Sequence, residues 1–121
     1  DGLAEAEILT TRPALAREHW QGDRTPAFRH AYRPSLAYRM ALVAQGRFDG
    51  MLTLRPCWEW DIAAGDLILR EAGAACTDRS GAALVFNNPH PMQNGLIAAG
   101  PDIHASIATA LKPPKRDNPR T

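Results

Sequence analysis

The chain has 121 residues, of which 45% are hydrophobic and 22% charged, with a formal net charge of +1. This length fits one domain with a real core and is too short for two, and the composition argues against a wholly disordered chain. A charge so near zero removes the electrostatic case for nucleic acid or an anionic membrane as the main partner, and no apolar run approaches the roughly 20 residues of a membrane span.

The first residues, Asp1-Gly2-Leu3-Ala4-Glu5, lack the basic start of a signal peptide, so a soluble, cytoplasmic protein is expected. The chain does not begin with methionine, as expected of a trimmed product or a piece of something longer. Cys57 and Cys76 form no Cys-x-x-Cys pair and no dense pattern, and read as reduced, buried thiols.

Ala6 to Thr11 is a short apolar and β-branched run ending against Arg12-Pro13, which predicts a strand. From Pro13 to Pro34 the pattern is irregular and rich in Arg, His and Pro, predicting a surface connection with at most one short helix near Ala14 to Trp20. Ser35 is placed to cap a helix running to about Gln45, with Leu36, Met40 and Val43 at helical spacing and Gly46 as its left-handed stop. Gly50 to Leu54 predicts the next strand and Pro56 to Trp60 a connection. Asp61 stands at the N-cap position of a helix over Ile62 to Ala72, with Gly73 just beyond. That helix is apolar nearly all round, which predicts burial against a sheet, with Asp66 and Arg70 paired on one exposed strip.

Ala75-Cys76-Thr77 and Ala83 to Phe86 flank Asp78-Arg79-Ser80-Gly81 and predict an antiparallel hairpin. A polar loop from Asn87 to Asn94 leads to a buried-type strand at Gly95 to Ala99. The last helix starts near Pro101-Asp102, carries Ile103, Ile107 and Leu111 on one face, and is stopped by Pro113-Pro114. Lys112 to Thr121 predicts a basic, disordered tail after a folded domain spanning 1–111. Strands alternating with helices predict an α/β fold whose mixed, mostly parallel sheet is flanked by helices.

No phosphate-binding glycine loop, dinucleotide G-x-G-x-x-G or nucleophile elbow occurs. His19, His30, His90 and His104 lack the spacing of a zinc site. Trp58 and Trp60 are candidates either for packing or for flanking a site. From position alone, Asp61 reads as a helix cap or as a carboxylate ligand to a hard cation.

Two segments carry more. Ser35-Leu36-Ala37-Tyr38-Arg39-Met40-Ala41-Leu42-Val43-Ala44-Gln45-Gly46-Arg47-Phe48-Asp49-Gly50 is followed by Glu59-Trp60-Asp61-Ile62-Ala63-Ala64-Gly65 and by Arg70-Glu71-Ala72-Gly73. This resembles the second signature of the inositol monophosphatase superfamily, in which W-D-x-A-A-G opens a helix and E-A-G closes it. The similarity continues to about Leu111, so the resemblance implies the carboxyl-terminal domain of that fold. Within the superfamily, Ser-Leu-Ala-Tyr-Arg and Glu-Trp-Asp look nearer to bacterial bisphosphate nucleotidases.

The resemblance implies a phosphomonoesterase using Mg²⁺, with Asp61 as a metal ligand. It also implies that most of the other carboxylates come from a first domain whose paired-glutamate and D-P-x-D-G-T segments do not occur here. Alone, the chain is therefore expected to be inactive, with the missing amino-terminal domain as its partner; a homodimer is compatible with the family. Ser35, Arg39 and Arg55 are the expected substrate-binding residues. Thr53 or Leu54 stands about where the inositol enzymes carry a glutamate, whereas Arg39 matches a lysine typical of the nucleotidases, which favours a doubly phosphorylated substrate such as 3′-phosphoadenosine 5′-phosphate. The rival expectation is a non-catalytic module that uses the same fold to bind a ligand or a protein.

Overall fold

The structure is a computed structural model describing residues 2–86 and 91–113. The expected tail from residue 114 onward and the part of the Asn/Pro loop at 87–90 lie outside the described residues, whereas Lys112, expected to begin that tail, is tied down, its backbone N–H donating to His19 O at 2.8 Å and its ammonium pairing with Asp23. The strands are β1 (Glu7–Leu9), β2 (Arg29–Ala31), β3 (Gly50–Trp58), β4 (Ala75–Thr77) and β5 (Met92–Ala99), and the helices are α1 (Leu36–Ala44), α2 (Glu59–Glu71) and α3 (Pro101–Ala110).

The strands form one sheet in the order β2-β1-β3-β5-β4. β1 pairs parallel with β2 and with β3, while β5 runs antiparallel to both β3 and β4. The mixed sheet is as expected, with parallel and antiparallel pairings in equal number rather than mostly parallel, because β5 returns against β3 and β4 occupies its other side. Helices α1 and α2 cover one face, burying Met40, Val43, Ile62 and Leu69 against Leu9, Met51 and Leu96. The opposite face buries Ile8, Leu52 and Ile97 under Trp20, Ile107 and Leu111.

Helix α1 is capped as its sequence predicts: Ser35 Oγ accepts from the Tyr38 backbone N–H at 3.3 Å, and Gly46 takes φ +77° past the end. The segment before it is more structured than a surface connection. It holds three short 3₁₀ turns, Arg12–Leu15, Arg17–His19 and Gln21–Asp23. It also holds Trp20, fully buried, with Nε1 donating to Ala14 O at 3.0 Å. It then supplies β2, a three-residue edge strand whose polar, largely exposed Arg29-His30-Ala31 carries no alternating pattern.

Three further expectations are corrected. The hairpin is reduced to a single antiparallel bridge between Thr77 and Ala83, with no second strand at 83–86, and β4 pairs along its length with β5. The turn between them holds, since Asp78 Oδ1 accepts from the backbone N–H groups of Ser80 and Ala82. Asp61 is not an N-cap. β3 runs without a break through Pro56 to Trp58 and straight into α2, so Trp58 takes the cap position and Asp61 sits inside the first turn.

The faces of α2 are also not as predicted. Asp66 is buried, at 6% exposure, whereas Leu67 and Ile68 are 60% and 52% exposed. The expected pair is real, with Arg70 Nε donating to Asp66 Oδ1 at 3.0 Å, but only its Arg70 end is exposed and its carboxylate end is buried. The Cys76 thiol hydrogen-bonds to the same carboxylate, and burial together with Asp66 pushes it up to about 12.

Where α1 crosses α2, Gly65 faces Met40. A β-carbon at Gly65 would lie 2.6 Å from both Sδ and Cε of Met40, which is itself fully buried. Gly65→Ala is expected to lose about 1–3 kcal/mol to overpacking, offset by roughly 1 kcal/mol of helix propensity. Denaturant melts should show a net loss for Gly65→Ala, and that increment should vanish when the same substitution is made in a Met40→Ala background, which is itself destabilised by the cavity it leaves.

On the other face, Thr77 Oγ1 lies 2.9 Å from Asp78 O and 2.7 Å from His104 Nε2, within hydrogen-bonding reach of both. Burial holds His104 below its ordinary value of 6.5. Below that value the unfolded chain binds the proton more readily than the folded one. This contribution is therefore complete above pH 6.5 and declines as the pH falls through 6.5 toward the folded value. Stability measured from about pH 8 down to about pH 5 should show this decline, and His104→Gln should flatten it.

Candidate active-site cleft

The parallel arrangement of β1, β2 and β3 gathers their carboxyl ends on one edge of the sheet, where open α/β sheets place their ligands. A cleft of ≈ 170 Å³ opens there, between the first turns of α1 and α2, lined by Leu36, Arg39, Thr53, Arg55, Trp58 and Asp61 among others. A larger recess of ≈ 420 Å³ lies by the amino end of α3, with Glu5, Asp49 and Asp102 on its walls. Among the described residues, no three His, Cys, Asp or Glu groups come close enough to share a metal ion.

Three of the four sequence-predicted residues, Arg39, Arg55 and Asp61, are thus brought together. Ser35 is not among the residues lining the cleft. It immediately precedes Leu36, which is, and its hydroxyl is used to cap α1. Ser35 also holds a left-handed φ of +71°, a strained value for a residue with a side chain.

Arg39 is the unbalanced group of the cleft. Its Nε and one terminal nitrogen are buried without an acceptor among the described residues, while its guanidinium carbon stands 5.7 Å from the centre of the Tyr32 ring. Buried N–H groups of a cation without acceptors are costly, and an anionic ligand would supply what they lack. Burial pushes the neighbouring Cys57 thiol up; Arg39 and Arg55 act against this and Asp61 reinforces it. The carboxylate of Asp61, in the first turn of α2, also lies near the positive end of that helix.

Arg55 owes its place to an irregularity. Thr53 pairs with Leu96 and Pro56 with Asn94, so Leu54 and Arg55 together oppose the single residue Gly95, the arrangement of a β-bulge. Gly95 takes φ +78°, and a β-carbon there would come within 2.7 Å of Thr53 O. Arg79 braces the bulge, donating from a terminal nitrogen to Leu54 O at 3.2 Å. A proline within a strand and a glycine opposite it are the sequence signals of such a site.

Trp58 lines the cleft and stacks on Trp60, with ring centroids 4.5 Å apart and planes 11° from parallel. Both rings are exposed rather than packed in a core.

The model of the inositol monophosphatase family matches residues 3–114. The chain is 35% identical over 118 residues to inositol-1-monophosphatase of Rhizobium meliloti, covering 91% of this chain and 40% of the relative. It is 39% identical over 79 residues to Nus factor SuhB of Pasteurella multocida, covering 65% and 27% respectively. In three dimensions, inositol monophosphatase-II of Staphylococcus aureus superposes with a TM-score of 0.74 at 18% identity, covering 90% of this chain and 41% of that one. The chain belongs to the inositol monophosphatase family. It spans less than half the length of these relatives.

The family is generally metal-dependent. The cleft offers Asp61 as its one carboxylate, which fits a single ligand position of a hard cation but not a complete ligand set. Arg39→Met should remove the unmatched N–H groups and raise the chain's stability by about 1 kcal/mol, read as a higher denaturant midpoint at constant m-value.

Proposed function

We propose that this chain is part of a magnesium-dependent phosphomonoesterase acting on a small phosphorylated metabolite of the inositol phosphate or 3′-phosphoadenosine 5′-phosphate class, and that the 121 residues alone do not turn over. The observation that carries this reading is the meeting of Arg39, Arg55 and Asp61 in one cleft at the carboxyl edge of the sheet. Family membership supports the phosphatase class. Magnesium, when bound, lowers the pKa of a water and clamps phosphate oxygens; Asp61 would give it one oxygen, with the remaining ligands supplied from outside this chain.

The chain's own contribution is binding and orientation. Arg39 presents unmatched N–H groups that suit two oxygens of one phosphate. Arg55, set on the bulge, adds a second cation to the same cleft. Two cations suit a doubly phosphorylated substrate better than a neutral ring, which favours the nucleotidase-like option. Trp58 lines one side of the cleft and is backed by the stacked ring of Trp60.

The exposed side of α2 bears on the question of activity. Leu67 and Ile68 face solvent together with Ala63 and Ala64, an apolar stripe suited to a companion domain. Such a domain would supply the carboxylates this chain lacks. The rival reading is a non-catalytic module that binds a protein through this stripe; the relatives named Nus factor keep that reading in play.

In a longer protein that includes a companion domain, Asp61→Asn should leave the fold intact and reduce phosphatase turnover by about a hundredfold or more. Near-normal turnover of a well-folded variant would remove Asp61 from the metal site. Rigorously purified 121-residue chain should show no saturable phosphatase activity, and clear turnover there would overturn the shared-site reading.

A further inference from the structure

Arg79 lies on the Trp20 side of the sheet, near Ala14 and Leu54, and is not among the residues lining the Arg39–Asp61 cleft. It nevertheless holds both strands of the bulge. Its backbone N–H donates to Asn94 O on β5 at 3.0 Å, and a terminal nitrogen of its side chain donates to Leu54 O on β3 at 3.2 Å. The residue that follows this carbonyl is Arg55, which does line the cleft.

We propose that Arg79 is a positioning residue for Arg55: by fixing the Leu54 carbonyl from the far side of the sheet, it sets the direction in which the bulge presents Arg55, and so how firmly the cleft grips a second phosphate. The inference rests on the phosphate reading of the cleft and adds the group that aims its second cation. A bulge re-aims the side chains it carries. The peptide joining Leu54 to Arg55 is planar, so a donor fixed on its carbonyl also fixes the N–H of Arg55 at the other end of that plane. The ladder offers Leu54 and Arg55 only Gly95 as a partner, and the side-chain bond stands where regular pairing is interrupted.

The surroundings keep Arg79 to this task. A β-carbon at Gly95 would lie 2.9 Å from Cβ and 3.2 Å from Cγ of Arg79, so the bare backbone of Gly95 is what lets the arginine stem cross the bulge. The carboxylate of neighbouring Asp78 is occupied by Ser80 and by the Ala82 N–H, and Nε of Arg79 is buried without an acceptor among the described residues. Burial also lowers the pKa of Arg79, the mark of a cation partly stripped of water. Its bond to Leu54 O therefore faces less competition from solvent than an exposed one would.

The test uses the full chain, labelled with nitrogen-15 and carbon-13, with two variants: Arg79→Met removes the donor, and Arg79→Lys keeps one on a similar stem. Without ligand, Arg79→Met should move the signals of the Leu54 carbonyl, the Arg55 amide and the Arg55 Nε–H, and Arg79→Lys should leave them near their original places; unchanged signals in α3 and at Trp20 verify the fold. Arg79→Met should weaken adenosine 3′,5′-bisphosphate by about tenfold and leave inorganic phosphate, which Arg39 can grip alone, within about twofold. Because Arg79 acts through Arg55, this loss should vanish in an Arg55→Ala background, whereas a general loosening of the fold would weaken both ligands and persist there. Unmoved Leu54 and Arg55 signals in Arg79→Met, equal losses for the two ligands, or the full loss retained in Arg55→Ala would overturn the proposal. If neither ligand binds while the Arg55 signals still move in Arg79→Met and stay put in Arg79→Lys, the positioning role stands and the phosphate reading of the cleft falls.

Discussion

The close approach of α1 and α2 at Gly65 is the constraint on which the rest depends. Only a residue without a β-carbon lets the Met40 side chain lie where it does, and that contact sets how near the two helices can be. Because α1 begins beside the carboxyl end of β2 and α2 grows directly out of β3, bringing the helices together also brings their first turns together. Arg39 and Asp61 sit in those turns. The glycine of the W-D-x-A-A-G run is thus a packing requirement that fixes the cleft, four residues away from the aspartate that serves it.

What could be read in advance follows from how local each signal is. The cap at Ser35, the left-handed glycines 46 and 73, and the apolar spacing of α1 and α3 act within a turn or two of chain, and the structure reproduces them. That Arg39 and Asp61 share a cleft follows from a long motif that fixes their relation to one another, whereas Arg55, outside that motif, was named only for lying close by in sequence. β2 and Trp20 were not legible, since a polar edge strand and a lone buried tryptophan acquire meaning only from the strands and helix they meet. The start of α2 was misplaced for a related reason: Pro56 reads as a break, yet the bulge lets β3 pass through it.

Helix α2 shows how a composition rule can mislead. Its mostly apolar sequence implies burial on all sides, but a sheet covers only one side of a helix. The inward positions include Asp66, held by Arg70 and the Cys76 thiol, and the outward ones include Leu67 and Ile68. A carboxylate inside and aliphatic residues outside make sense together if the outer face is made for another surface and the inner one for a fixed register against β4.

The stacked tryptophans give the cleft its own optical reporter. Of the chain's three tryptophans, Trp20 is sealed in the core and hydrogen-bonded to Ala14 O. Trp58 and Trp60 lie almost parallel and partly open to water beside Arg39 and Asp61. Two indoles in that geometry couple their electronic transitions, giving a paired signal in circular dichroism that an isolated buried ring does not produce. Emission from the exposed pair is quenched by dissolved iodide, while that of Trp20 is shielded. Spectroscopy on the unmodified chain can therefore follow what enters the cleft separately from what happens to the core.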